Sequence, residues 1–113
     1  MNGDGRLDII AGNRGGNISV LFRNAANNGF DAAVNLSVAD NINGLAVGDL
    51  NGDGKPDIAA TISGTSTVSV FYRNSANTGF EPRVDLTANS GPNGVTSADF
   101  NGDGRADLVV VSA

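Results

Sequence analysis

Three short segments of this chain hold carboxylates at a spacing that suits a hard cation: MNGDGRLD at residues 1–8, DLNGDGKPD at 49–57 and DFNGDGRAD at 99–107. In the second, Asp49, Asn51, Asp53 and Asp57 place side-chain oxygens at loop positions 1, 3, 5 and 9, and Asp99, Asn101, Asp103 and Asp107 repeat this in the third. Alternation at the first three of these positions lets the side chains of a tightly wound loop converge on one point. The carbonyl of Lys55 or Arg105, at position 7, is a further expected ligand. Gly52, Gly54, Gly102 and Gly104 supply the positive φ that such a wrap needs. The first loop is truncated, since its opening Asp would precede Met1. Asn2, Asp4, the Arg6 carbonyl and Asp8 therefore form a weaker site.

Of the 12 acidic residues, eight lie in these loops: Asp4, Asp8, Asp49, Asp53, Asp57, Asp99, Asp103 and Asp107. Carboxylates crowded in this way raise one another's pKa values and oppose the folded loop. A divalent ion with oxygen ligands turns that repulsion into coordination, and Ca²⁺ is the expected occupant. The formal charge of −5 would become −1 with two such ions and +1 with three. The alternative is a set of metal-free Asx turns, but three matched copies are much less expected by accident than one. The loops are not EF-hands. Position 12, where an EF-hand carries a bidentate Glu, is Ala60 or Val110, and no helix pattern flanks the loop.

Apolar, β-branched runs follow each loop, LDIIAG, PDIAATIS and ADLVVVS, and read as strands. The cation loop is thus expected inside a β-hairpin, with Asp57 and Asp107 opening the outgoing strand. The loops belong to a longer repeat. SVLFRNAANNGF at 19–30 recurs as SVFYRNSANTGF at 69–80, an offset of 50, which also carries Asp49 onto Asp99. Asn2 to Asn51 is 49, so one residue is gained between Thr61 and Thr67, a turn stretch where insertion is tolerated. Periods of this size signal propeller blades or other repeat arrays. Within the complete unit the pattern predicts four strands, at 44–50, 56–62, 67–73 and roughly 81–88, and essentially no helix.

The DxNGDGxxD loop between first and second strands, the VSVxxRN third strand and the NGF or TGF turn before the fourth resemble the FG-GAP and VCBS-type repeats of integrin-α-like β-propellers. The resemblance covers practically the whole chain. It implies an all-β protein built of four-stranded antiparallel propeller blades, with Ca²⁺ on one rim held by Asp49, Asn51, Asp53, the Lys55 carbonyl and Asp57. Asp99, Asn101, Asp103, Arg105 and Asp107 are implied likewise.

At 113 residues, the chain holds about 2.3 such periods. The expected division is a partial first blade at 1–43 (strands two to four), a complete blade at 44–93 and a partial blade at 94–113 (strands one and two). Propellers close with four to eight blades. The expectation is therefore an incomplete propeller, a piece of a longer polypeptide in preference to a protomer whose copies complete a ring. Unpaired edges and apolar blade faces would favour association with further blades or with copies of the same chain.

Histidine and cysteine are absent, which removes Ser–His–Asp and Cys–His catalysis and His/Cys zinc sites. Paired carboxylates could serve glycoside hydrolysis, but the clustered ones belong to the loops. Asp31, Asp40, Glu81 and Asp85 read as solvated strand edges and turns. No catalytic role is expected of the chain itself. Rim turns at Arg14–Gly15–Gly16, Ser63–Gly64–Thr65 and 89–92 are candidate recognition loops for a protein or glycan ligand, although none offers an aromatic platform for a sugar. Phe22 and Tyr72 are expected to pack between blades, and Phe30 and Phe80 to anchor the fourth strand. Arg23 and Arg73 either brace a turn or are solvated. Seven scattered basic residues in an acidic chain do not suit nucleic acid, and no run approaches membrane-spanning length. The function expected is a calcium-stiffened scaffold for extracellular or cell-surface adhesion or recognition, with its export signal outside this sequence. A lectin-like propeller and the non-catalytic propeller of a larger secreted enzyme are the alternatives.

Overall fold

The computed structural model describes residues 4–103 and 106–112. Among them are nine strands and no helix: β1 (Ile9–Asn13), β2 (Asn17–Leu21), β3 (Val34–Ser37), β4 (Ile42–Gly48), β5 (Asp57–Ile62), β6 (Thr67–Phe71), β7 (Val84–Thr87), β8 (Pro92–Ala98) and β9 (Asp107–Ser112). They form three antiparallel sheets in sequence order, β1-β2-β3, β4-β5-β6-β7 and β8-β9. The chain is therefore all-β, and each sheet is a meander whose strands pair with their sequence neighbours.

The repeat is visible in the register. Val20 pairs with Val34 in the first sheet, and Val70 with Val84 in the second. The turn between β1 and β2 is Arg14–Gly16, whereas that between β5 and β6 runs from Ser63 to Ser66, which places the inserted residue in a turn. Gly16 at φ +77° and Ser66 at φ +53° occupy matching left-handed positions, and their carbonyls accept from the N–H of Val38 and Ala88.

Strand limits differ from the sequence pattern for identifiable reasons. β4 begins at Ile42 and ends at Gly48, two residues earlier than expected at both ends. The Leu50 N–H donates to the Asp57 carboxylate and so leaves the ladder. β6 stops at Phe71 because the Arg73 N–H is likewise taken by Asp57, leaving only the isolated bridge Arg73↔Phe80. The fourth strand starts at Val84 and not at Glu81, after Pro82, which has no N–H to give a ladder.

Two apolar clusters lie between the sheets. The first joins Ile18, Val20 and Phe22 of the first unit to Ile58, Ala60 and Phe71 of the second. The second joins Ala59, Val68, Val70 and Tyr72 to Val95, Leu108 and Val110 of the third. All six residues of β5 are buried because both of its faces are covered. Polar contacts tie neighbouring first strands: Asn43 Nδ2 donates to the Pro92 carbonyl at 3.1 Å and Ser97 Oγ to the Val47 carbonyl at 2.9 Å. Gly48 is needed there, since a Cβ would stand 2.6 Å from Ser97 Oγ.

Ile58 is fully buried, whereas Leu86 is 46% exposed. Ile58→Ala is expected to lower the unfolding free energy by about 2–5 kcal/mol and Leu86→Ala by less than about 1 kcal/mol. Urea titration followed by circular dichroism measures both.

Candidate metal centre

In the second and third units the acidic loop closes a hairpin between the first and second strands. Between β4 and β5, Asp49 winds the loop around itself: Oδ1 accepts the N–H of Gly52 at 2.8 Å and of Asp53 at 3.1 Å, and Oδ2 accepts Gly54 at 2.8 Å. Gly52 and Gly54, both at φ +79°, permit that wrap. Asn51 Oδ1 accepts the Asp53 N–H at 3.3 Å, and Asp53 Oδ1 accepts that of Lys55 at 2.9 Å. Lys55 Nζ lies 3.7 Å from Asp53 Oδ2, a loose surface pair.

Asp57 is the buried member. It is fully enclosed, and its oxygens accept the Arg73 N–H at 2.7 Å and the Leu50 N–H at 2.9 Å. One carboxylate thereby fastens the loop's entry to the end of the third strand.

The structure brings Asp49, Asp53 and Asp57 together with carboxylate oxygens within 4.8 Å of one another, and Asp99, Asp103 and Asp107 in the same way. In the third unit Gly102 and Asp103 donate to Asp99 Oδ1 at 2.8 and 3.1 Å, Asp103 also donates to Asn101 at 3.2 Å, and Phe100 donates to Asp107 at 3.0 Å. Arg105 lies outside the described residues. In the first unit Asn2 lies outside them too. Asp4 accepts the Arg6 N–H at 2.9 Å and pairs with the Arg6 guanidinium at 2.8 Å, while Asp8 accepts the Arg23 N–H at 2.9 Å. No group of three carboxylates is assembled there among the described residues.

The donor set is all oxygen and anionic, and it suits a hard divalent ion. Its electrostatics are divided. Burial pushes the Asp57 carboxyl up, the N–H donors of Arg73 and Leu50 pull it back, and the charges of Asp53 and Asp49 add to the rise. The Gly54 N–H, foremost among several backbone donors, holds Asp49 below the ordinary carboxylate value against a smaller desolvation effect. The signs therefore oppose. Ionised Asp57 costs stability as pH rises through its raised value, and Asp49 contributes stability that is lost as pH falls through its lowered one.

The sequence left open whether Arg73 braces a turn or is solvated, and the structure shows it bracing one behind the loop. Arg73 is 4% exposed; its Nε donates to Asn77 Oδ1 at 2.9 Å and its Nη2 to the Asn77 carbonyl at 2.8 Å. Its guanidinium lies 4.9 Å from the Phe80 ring centre and 5.1 Å from that of Phe22 in the preceding unit. Nη1 is buried without a hydrogen-bond partner, and the two ring faces are what offset that cost. Burial lowers the Arg73 pKa, opposed by the charge of Asp8, and an arginine stays protonated regardless. Arg23 makes the same fork to Asn27, at 3.0 and 2.8 Å, and stacks on Phe30 at 5.0 Å. Both arginines thus brace the turn, and Asn27 and Asn77, each at φ +57°, are the residues they hold. The R-N-x-A-N-x-G-F repetition was the available signal. Phe30 differs from expectation, being 38% exposed where Phe80 packs against the first cluster. Asp85 is not merely solvated, since it accepts Ser69 Oγ at 2.7 Å and pairs with Arg83 at 3.1 Å.

These features define an all-β repeat protein with an acidic loop in its hairpins. The family model described as FG-GAP-like repeat matches residues 1–60 and again 49–110, and the chain belongs to that family. No match was found among curated proteins or among solved structures. Repeats of this family often bind calcium, and the acidic clusters lie in both matched segments.

Asp57→Asn would turn one acceptor into a donor facing a backbone N–H. In chelator it is expected to destabilise by about 1–3 kcal/mol, whereas Asp53→Asn, at an exposed site, stays within about 0.5 kcal/mol. Thermal unfolding in EGTA compares the two.

Proposed function

We propose that this chain is a Ca²⁺-binding section of a β-propeller, in which the repeat units at 1–43, 44–93 and 94–113 are blades and the ion stiffens each first hairpin. The observation that carries this reading is the convergence of Asp49, Asp53 and Asp57 oxygens within 4.8 Å, repeated at Asp99, Asp103 and Asp107. Asn51 and Asn101, with the carbonyls of Lys55 and Arg105, complete each ligand set. Asn2, Asp4, Arg6 and Asp8 form the weaker site. The ion supplies positive charge to a loop that gathers like charges, and the chain's own residues do the rest: Asp49 shapes the loop, Asp57 ties it to the third strand. The role is structural and non-catalytic, serving an extracellular or cell-surface scaffold for adhesion or recognition. Sites of this type are weak, with dissociation constants on the order of 10⁻⁴ to 10⁻³ M, which matches calcium levels outside the cytosol. A protein or glycan ligand would be met by the turns between strands.

Adding calcium to chelated protein is expected to raise the melting temperature. The gain is about 1.4 kcal/mol per site at ten times the dissociation constant. Asp53→Ala combined with Asp103→Ala should remove most of the rise. An unchanged melting curve for the unmutated protein, measured by scanning calorimetry, would refute the metal assignment.

The same rise should shrink as pH is lowered from neutral to about 4.5, because ligands must be deprotonated and the burial of Asp57 raises its hold on a proton. Melting curves with and without calcium at the two pH values test this. A larger calcium effect at the lower pH would contradict the ligand role of Asp57.

A further inference from the structure

Six asparagines of the chain are followed by glycine: Asn2, Asn28, Asn43, Asn51, Asn93 and Asn101. Such a pair carries its own reaction, because no side chain on the glycine keeps its amide nitrogen away from the asparagine side-chain carbonyl. Its speed depends on the freedom of that amide and on the charge around it. Asn2 is not among the described residues. Asn43 and Asn93 are held within β4 and β8. After Asn51 and Asn101 the amide is occupied, since Gly52 donates to Asp49 Oδ1 and Gly102 to Asp99 Oδ1, both at 2.8 Å. A carboxylate so close also disfavours a second negative charge on the nitrogen.

Asn28 differs on each count. It is exposed in the connection between β2 and β3, and the Gly29 N–H donates to no group among the described residues. That exposure does not come from where the sequence begins. Thr78, at the same place in the unit covered on both faces, is exposed as well. The charge bonded to the neighbouring residue is positive, because Arg23 donates to the Asn27 side chain and carbonyl at 3.0 and 2.8 Å. Asn24 Nδ2 donates to Asn28 Oδ1 at 3.0 Å, and this is the oxygen on which charge gathers when the side-chain carbonyl is attacked. The turn itself does not call for glycine at 29, which lies outside the left-handed region and where a Cβ would meet only Asn24 Nδ2, at 3.4 Å.

We infer that Asn28 is a modification site, selected by the fold for spontaneous deamidation. The Gly29 nitrogen gives its proton to solvent and bonds to Asn28 Cγ; the Cγ–Nδ2 bond breaks, and the side-chain nitrogen takes up a proton and leaves as ammonia. Water then opens the five-membered imide at either carbonyl, giving aspartate or isoaspartate. Either product adds one negative charge to a chain already at −5. Isoaspartate also routes the backbone through an extra methylene, which disturbs the 3.0 Å bond from the Asn24 N–H to the Gly29 carbonyl and the turn that Arg23 braces. Thr78 has no side-chain amide to lose, so the matching turn of the second unit is spared. The inference does not rest on the metal assignment, since none of these atoms belongs to an acidic loop.

Incubation of the full chain in mildly alkaline buffer with millimolar calcium tests it, followed by mass spectrometry of proteolytic fragments with electron-transfer fragmentation to separate aspartate from isoaspartate. Asn28 is expected to convert several-fold faster than Asn43, Asn51, Asn93 and Asn101, and in concentrated urea the five should convert at similar rates. Asn28→Thr, which copies the second unit, should abolish the modification of this fragment, and Gly29→Ala should slow it several-fold, both with unchanged β-sheet circular dichroism. Conversion of any of the other four ahead of Asn28 in the folded chain overturns the proposal. A lead of Asn28 that persists undiminished in urea overturns the role of the fold, and an unaltered rate in folded Gly29→Ala overturns the attack by the Gly29 nitrogen.

Discussion

The buried carboxylate of Asp57 is the constraint from which the rest of the unit follows. It accepts two backbone N–H groups that the sheet would otherwise have to satisfy, Leu50 at the mouth of the acidic loop and Arg73 at the end of β6. A lone charge in such a place would be costly, and hydrogen bonds from two donors reduce that cost without removing it. Two strand ends are decided there. β4 ends at Gly48 and β6 at Phe71 because the next available amides turn toward one side chain. Arg73, redirected in this way, extends its guanidinium into the seam between units, where Phe22 and Phe80 enclose it. A single carboxylate thus links loop shape, strand length and the contact between repeats.

The same device appears three times at different depths. Asp8 receives the Arg23 N–H and Asp107 receives that of Phe100, yet both are only partly buried, whereas Asp57 is closed off. Local sequence is nearly constant across the three, so the difference comes from neighbours. The middle unit is covered on both faces and the outer ones on one. Burial, and with it the energetic weight of each carboxylate, is a property of position in the array more than of the loop itself.

Much of this was legible in the residues. The offset of the SVLFRN and SVFYRN segments fixed the repeat and located the inserted residue, which sits in the β5–β6 turn. The run after the second acidic loop was legible as a strand, and the structure adds that all six residues of DIAATI are buried. The acidic spacing predicted convergence, and the carboxylates of the two complete loops do converge. What could not be read was which side chain would take backbone hydrogen bonds out of the ladder. Asp57 was visible as a ligand candidate, but its tie to Arg73 spans 16 positions and depends on the pairing of β5 with β6. The choice between a bracing and a solvated Arg73 also required the third dimension, because one of its two rings belongs to another unit.

One backbone contact gives the array a further property. The amide of Ala106 donates to the carbonyl of Asp49 at 3.1 Å, so a peptide group of the third acidic loop is bonded to the first residue of the second. No side chain intervenes, and no rotamer change can absorb a movement of either partner. If both loops take up cations, tightening one re-aims an amide at the edge of the other. The two would then fill as interdependent steps, with a binding isotherm steeper or shallower than that of isolated loops.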